Sequence, residues 1–367
     1  LLAASFQPSK EEFFMATKMT KEFAVHPYLQ FMMDTYSPYK KWIESEGIPI
    51  VSGSYVPDVR DVKLGDWKRR GVKGAYLTFS DQLAADAYIC EIPAGGNTKP
   101  QRQLYEEIVL IASGRGATTI WYDGTAKRTF EWERGSVFAI PLNAWHQHFN
   151  ATGSEPARYI SLTSAPVAFE LYRDPEFIFN TNYMFKDRFD PEDDQFFSRE
   201  GKYHTEYYGG IFHTNFIADI RKINLVPREK RGKGTRNMYI HMAGSAMLAH
   251  VSQFPVGRYK KAHKHGPGAH VCLLDSTGYT LMWDEGEEPK RYDWHEGSVV
   301  CPPAGTWHQH YNTGNVPCKF VALHANTAVQ REEGGIDQID FDNEDAALRK
   351  MYEEECAKNG VKPDMDQ

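Results

Sequence analysis

The chain alternates hydrophobic and polar positions in short runs rather than in long helical stripes. ATTIWYDG, SVFAIPLNA, RYISLTS, GYTLMW, SVVCPP and KFVALH are rich in β-branched and aromatic residues and are cut by Gly, Asn, Asp and Pro, the pattern of strands ended by turns. Many such strands without long helices between them predict an all-β fold, and a jelly roll is an economical way to protect its sheet edges. Helical signals are confined to the margins. Residues 9–47 open with Ser9 and Glu12 in capping-box spacing and read as one or two helices. Residues 343–360 read as a terminal helix ending at Asn359-Gly360. An aromatic and polar connector (FIFNTNYMFKDRF, QFFSRE, YHTEYYGG) is expected to pack on the barrels or on a partner subunit.

A repeat organises the whole. GSVFAIPLNAWHQHFN at 135–150 and GSVVCPPAGTWHQHYN at 297–312 align at an offset of 162, matching Gly135 with Gly297, Pro141 with Pro303, Trp145 with Trp307, His146 with His308 and Asn150 with Asn312. Upstream, Gly116 meets Gly278, Trp121 meets Trp283, and Gln101 and Gln103 meet His263 and His265. The expected division is a helical N-terminal extension (1–50), a first barrel (51–168), the connector (169–212), a second barrel (213–328) and a helical C-terminal extension (329–367).

The second copy concentrates the chemistry. Gly257 is followed after five residues by His263-Lys264-His265, with His270 five positions on, and Gly297, Pro303 and Gly305 precede His308. Residues two apart in a strand share a face, so His263 and His265 can project into one cavity and, with an imidazole from a distant strand, hold one transition metal.

This spacing closely resembles the two signature motifs of the cupin superfamily. The second motif, which ends in Pro-X-Gly, His and Asn, is matched in full by Gly297, Pro303, Gly305, His308 and Asn312. The first is matched at Gly257, His263 and His265, but where its glutamate falls this chain has Ala269 and His270. Strict register gives the glutamate position to Ala269, so His270 reaches the metal only if the GPGAH stretch shifts the strand phase, for example through a bulge, and that shift is the expectation. The resemblance implies two tandem cupin barrels (double-stranded β-helix, jelly roll) with helical extensions. It further implies one divalent transition metal per chain at His263, His265, His270 and His308, with Fe(II) first and Mn, Ni and Zn as alternatives.

The first copy keeps the scaffold without the ligands. Gln101 and Gln103 replace the paired histidines while Glu107 and His146 remain, and neutral amides compete poorly with water for a transition metal. This half is expected to serve the structure or an interface. His148 and His310 recur in both copies, which indicates a role in the fold. His204, His213, His241, His250, His295 and His324 read as structural or surface residues. Lys260 and Lys261 read as solvated, although a cation there would suit an anionic substrate, and Lys264 is expected to point out of the barrel. Trp283 and Tyr279 either wall the cavity or fill the core.

Composition narrows the remaining classes. Forty-two basic against 49 acidic side chains give a net charge of −7, which argues against a nucleic-acid partner. The apolar runs are far shorter than the about 20 residues of a bilayer span, and the LLAASF start lacks a charged n-region with an apolar core, so no membrane partner is expected. Cys90, Cys272, Cys301, Cys318 and Cys356 are scattered and never spaced as CxxC, against a disulfide framework or thiolate site and in keeping with a reducing cytoplasm. Phosphate-cradling, dinucleotide and GxSxG nucleophile motifs are absent from the sequence.

By resemblance to gentisate 1,2-dioxygenase-like and diketone-cleaving cupins, the implied activity is a metal-dependent dioxygenase cleaving a small hydroxylated aromatic or β-dicarbonyl with O2. Neutral imidazole ligands leave an ion its full charge and open positions for a chelating enolate or phenolate. No residue stands out as a general base. An isomerase, lyase or decarboxylase using Mn, Ni or Zn as a Lewis acid is the second reading, with oxalate decarboxylase disfavoured by the missing glutamate. A non-catalytic binding or storage bicupin is the third. A homo-oligomer is expected by analogy with other cupins.

Overall fold

The computed structural model describes residues 31, 37–79, 84–207, 209–266, 268–326 and 336–365. Most of the helical stretch expected over 9–47 lies outside them. Within them stands a helix at Pro38–Ser45, started by Ser37, whose hydroxyl accepts from the Lys40 N–H, and by a proline in its first turn. Its Tyr39, Trp42 and Ile43 pack into the core of the first barrel.

Each strand-rich half closes into a two-sheet barrel. In the first half the larger sheet runs, edge to edge, through Ile50–Gly53, Val72–Phe79, Asp86–Ile92, Ala157–Thr163, Glu107–Ser113 and Val137–Ile140, and Trp145–Asn150, Arg115–Trp121 and Arg128–Glu133 form the smaller one. The second half repeats the order with Arg236–His241, Met247–Phe254, Cys318–Asn326, Ala269–Leu273 and Val299–Val300 in its larger sheet. Lys290–His295, Thr277–Trp283, Trp307–Asn312, His263–Lys264 and Asp337–Gln338 form its smaller sheet. Cross-strand register makes the halves comparable residue by residue. Tyr88 lies opposite Ser161 as His250 lies opposite Ala322, and Glu107 lies opposite Thr163 as Ala269 lies opposite His324. Gly116 and Gly278 recur because a Cβ on either would lie 2.0 Å from the carbonyl oxygen of Phe149 or Tyr311.

The halves exchange strands. Tyr55–Val56 pairs with Val299–Val300 of the second half, and Phe216–Ile217 pairs with Val137–Ile140 of the first. Each lent strand leads into an Asp-X-Arg turn, Asp58-Val59-Arg60 or Asp219-Ile220-Arg221, at an offset of 161. The Val59 N–H donates to the Gly297 carbonyl at 2.9 Å and the Ile220 N–H to the Gly135 carbonyl at 2.8 Å. Gly135 and Gly297 have φ of 91° and 97°, and a Cβ there would come within 2.8 Å and 2.9 Å of the Asp219 and Asp58 carboxylates. Boundaries drawn at 51 and 213 therefore give each barrel a strand that sits in the other's sheet. Local patterning cannot reveal this, because a lent strand has the same alternation as a retained one.

The larger sheets meet in one shared core, with Leu77, Ile89, Leu110 and Val137 from the first half and Met238, Val251, Val321 and Leu323 from the second. Full burial of each large apolar side chain contributes about 1.5–3 kcal/mol. The ion pairs of Glu296 with Arg134 (2.7 Å) and Arg60 (3.0 Å) across the barrels are solvent-accessible and contribute about 0–1 kcal/mol each, so apolar contact and the exchanged strands do more to hold the barrels together.

The connector folds onto the first barrel through helices at Ala165–Tyr172 and Pro175–Asn180, burying Phe169, Ile178, Phe189 and Phe197. The terminal helix, Ala346–Lys358, ends at Asn359 as expected and presses Tyr352 and Cys356 against Tyr259, Tyr279 and Tyr311. Tyr279 is thus core beneath that helix, and Trp283 stacks on Trp307 at 6.5 Å. All five cysteines are buried and unpaired in disulfides. No helix among the described residues is long and apolar enough to cross a membrane.

Candidate metal centre

The second barrel brings three of the four expected ligands together. His263 lies directly across from His308 in an antiparallel pair, which places both imidazoles on one face, and His265 follows two positions on. One ring nitrogen from each of His263, His265 and His308 can be chosen such that all lie within 4.8 Å of one another. The Nδ1 atoms of His263 and His308 each lie 3.0 Å from a backbone carbonyl, of Lys261 and Thr306. A carbonyl only accepts, so each Nδ1 carries the proton and each Nε2 keeps a lone pair. Burial, then the neighbouring imidazoles, push both histidines well below the usual range, keeping them in the neutral form that binds metals. The donor set fits a divalent transition metal.

His270 is not part of this group. The strand Ala269–Leu273 pairs with Cys318–Asn326 without a register shift, Ala269 opposite His324 and His270 opposite Leu323. The expected bulge is absent, so alternation sends Ala269 and Val271 into the cavity and His270 to the opposite face. There it stacks on Phe79 of the first barrel at 5.6 Å and approaches the Cys301 sulfur at 3.9 Å. His270 is an inter-barrel residue. Lys264 does point outward, lying over the Trp307 ring at 4.7 Å.

The triad opens into a cavity of about 220 Å³. Lys260, expected in solvent, is buried in its wall with Nζ 2.9 Å from the Ser252 hydroxyl. Burial, then Arg231 and Arg228, push the Lys260 ammonium well below the usual lysine range. Lys261 instead reaches Asp340 at 2.7 Å. His250, His310 and His324 also line the cavity, and the described lining residues include no Asp or Glu. His310 nonetheless keeps the role in the fold inferred from the repeat. Trp294 donates to Thr280 at 3.1 Å and Thr280 meets His310 Nδ1 at 2.8 Å, as Trp132, Thr118 and His148 do at 2.9 Å and 2.7 Å in the first barrel.

In the first barrel the corresponding space is filled. Arg70 and Glu107 are wholly buried and 3.9 Å apart, with the guanidinium 4.3 Å from the Tyr88 ring centre. Glu107 also accepts from Tyr88, from Ser161 at 2.9 Å and from the Gln103 amide at 2.9 Å, and Arg69 donates to Gln101 at 2.7 Å. A buried guanidinium–carboxylate pair lies within this barrel, whereas the other half has an open cavity. Arg70-Gly71 is matched by Arg231-Gly232 at an offset of 161, and the match is structural, since Lys99 N–H donates to Arg70 O as Lys261 N–H does to Arg231 O. That one-residue slip from the main offset of 162 was the available signal for Arg231, a cavity residue the motif reading passed over.

The fold and the triad can be set beside known proteins. Structures of oxalate decarboxylase from Bacillus subtilis match 79% of this chain and 80% of their own, with TM-scores of 0.50 and 0.51 at 11% identity. This chain has the two-barrel fold of those structures. A curated relative, 5-aminosalicylate 1,2-dioxygenase from Comamonas sp., is 37% identical to this chain over 71 residues. The match takes in 19% of this chain and 17% of that relative's length. No family profile matches the sequence.

Proposed function

We propose that this bicupin is a metal-dependent dioxygenase, with Fe(II) as the preferred ion, acting on a small hydroxylated aromatic acid. The observation that carries the reading is the pairing of a three-imidazole triad with a cavity wall holding Lys260, Arg228 and Arg231 and no carboxylate among its described residues. His263, His265 and His308 would hold the ion. When bound, it supplies Lewis acidity to a chelated oxygen and redox chemistry toward O2. The protein's own cations orient the substrate, because Lys260 recovers its charge when an anion replaces the missing acidic neighbour. The likeness to a protein named for an aromatic hydroxy acid supports this choice over a β-dicarbonyl. The first barrel serves as the buttress against which the second is built.

The test is elemental analysis of protein purified without chelator, followed by O2-uptake assays with gentisate, 5-aminosalicylate, salicylate and acetylacetone. Iron near one per chain and uptake with an aromatic acid are expected. Turnover of these compounds without O2 points instead to a lyase or decarboxylase using Mn, Ni or Zn, and overturns the dioxygenase reading.

A further inference from the structure

The cavity wall holds a second pair of imidazoles besides the triad. His250 Nδ1 and His324 Nε2 are 2.7 Å apart, with ring centres separated by 4.8 Å and planes inclined by 30°. Two lone pairs, or two N–H groups, would repel at this distance, so a single proton lies between the rings. With its Nδ1 engaged, His250 has only Nε2 left for a cavity ligand. His324 stands directly across from Ala269, the position of the motif glutamate. In the filled barrel the same two positions are Tyr88 and Thr163, so the pair occurs only in the half that has the triad. The groups around it are Tyr239, whose ring lies 5.5 Å from His250, Phe320, Arg228, Lys260 and His265. Burial, followed by His324 and Lys260, pushes His250 well below the usual range, and burial brings His324 down to about 3. Both rings are therefore neutral in the empty cavity at neutral pH, and a proton is held there only when the charge of a bound anion offsets the burial.

We infer that His250 accepts the phenolic proton of the incoming substrate and that His324 takes up the charge. The inference rests on the proposed function above. The substrate O–H bond breaks and its proton bonds to His250 Nε2. The proton shared between the rings passes to His324 Nε2, leaving an imidazolium at His324 and a phenolate on the substrate. Charge is conserved and no electron moves. A positioned base of this kind contributes about 10²- to 10⁴-fold to rate, and here it does so without releasing a proton to solvent.

The test uses Zn(II)-loaded full-length protein and 5-nitrosalicylate, whose colour reports its phenolate. Calorimetric titration in two buffers of different ionisation enthalpy counts the protons released. The wild type is expected to form phenolate while releasing almost none, whereas His250→Asn and His324→Asn release close to one proton per phenolate or hold the probe as the phenol. Both variants should keep one metal per chain. Full proton release by the wild type overturns the acceptor role and leaves the aromatic-acid reading standing. Loss of metal in either variant makes the pair part of the metal site and also overturns it. A metal-loaded wild type that does not bind the probe overturns the proposed function and the acceptor role together.

Discussion

The two barrels share strand order, cross-strand register and the Trp-Thr-His chain, and they differ in what occupies the middle. The first holds Arg70 against Glu107, with Tyr88 and Gln103 closing round the carboxylate. The second offers His263, His265 and His308 around open space, and at the glutamate's place it has Ala269. In one a cation is covalently part of the chain; in the other the site is shaped for one that arrives from outside. A buried cavity of imidazoles is a poor stabiliser, and a buried ion pair with its hydrogen bonds can be dispensed with only as a unit. Of the two copies, one is filled by a buried ion pair and the other holds the imidazole triad.

The comparison can be broken most severely at the ligands. His263→Ala or His308→Ala should lower metal affinity by more than about 100-fold, since changes one shell further out already cost about 10- to 100-fold, whereas His146→Ala should leave metal content unchanged. Elemental analysis after dialysis reads both. Next comes the filled barrel. Arg70→Met leaves Glu107 buried without its cation and should destabilise the protein by about 3–5 kcal/mol, most of it recovered in the Arg70→Met/Glu107→Leu double variant. Urea denaturation measures the pair of effects, and equal losses in the single and double variants would show that the ion pair is not what fills the site.

At the matching position of the other barrel, Arg231→Met should weaken 5-nitrosalicylate binding by about 10- to 100-fold, the value of a charged hydrogen bond, with metal content retained. The smallest effect lies between the barrels, where His270, at the repeat position of Ile108, stacks on Phe79 of the first half. Burial brings His270 down to about 4, below its unfolded value. Protonation then favours the unfolded chain, so stability is full above about pH 6.5 and falls as pH drops toward 4, by roughly 2 kcal/mol at pH 5. His270→Ile should remove that part of the acid sensitivity, measured as the change in urea midpoint between pH 7 and pH 5.

The fold class was legible because a duplicated motif repeats its glycines, its proline and its tryptophan at a fixed spacing, and steric limits such as those at Gly116 and Gly278 act in both copies. The triad was legible for a related reason, since His-X-His in a strand and a distant His need no knowledge of loops. His270 was misplaced because the decision turned on strand phase, and phase follows from pairing with Cys318–Asn326 rather than from local sequence. Lys260 was read as solvated, and His250 and His324 as structural or surface residues, because a lone charged or aromatic residue in an alternating run looks the same whether its face meets solvent or a cavity. The lent strands were invisible for a simpler reason: hydrophobic alternation states that a strand has a buried face, not whose sheet it joins.

The exchange at Tyr55–Val56 and Phe216–Ile217 makes the connector dispensable as a tether. A chain cut between the barrels would leave each piece carrying an edge strand that completes its counterpart, so the fragments form a matched pair rather than two autonomous proteins. Neither piece alone could finish its own sheet. The molecule is in that sense a heterodimer that happens to be written as a single polypeptide.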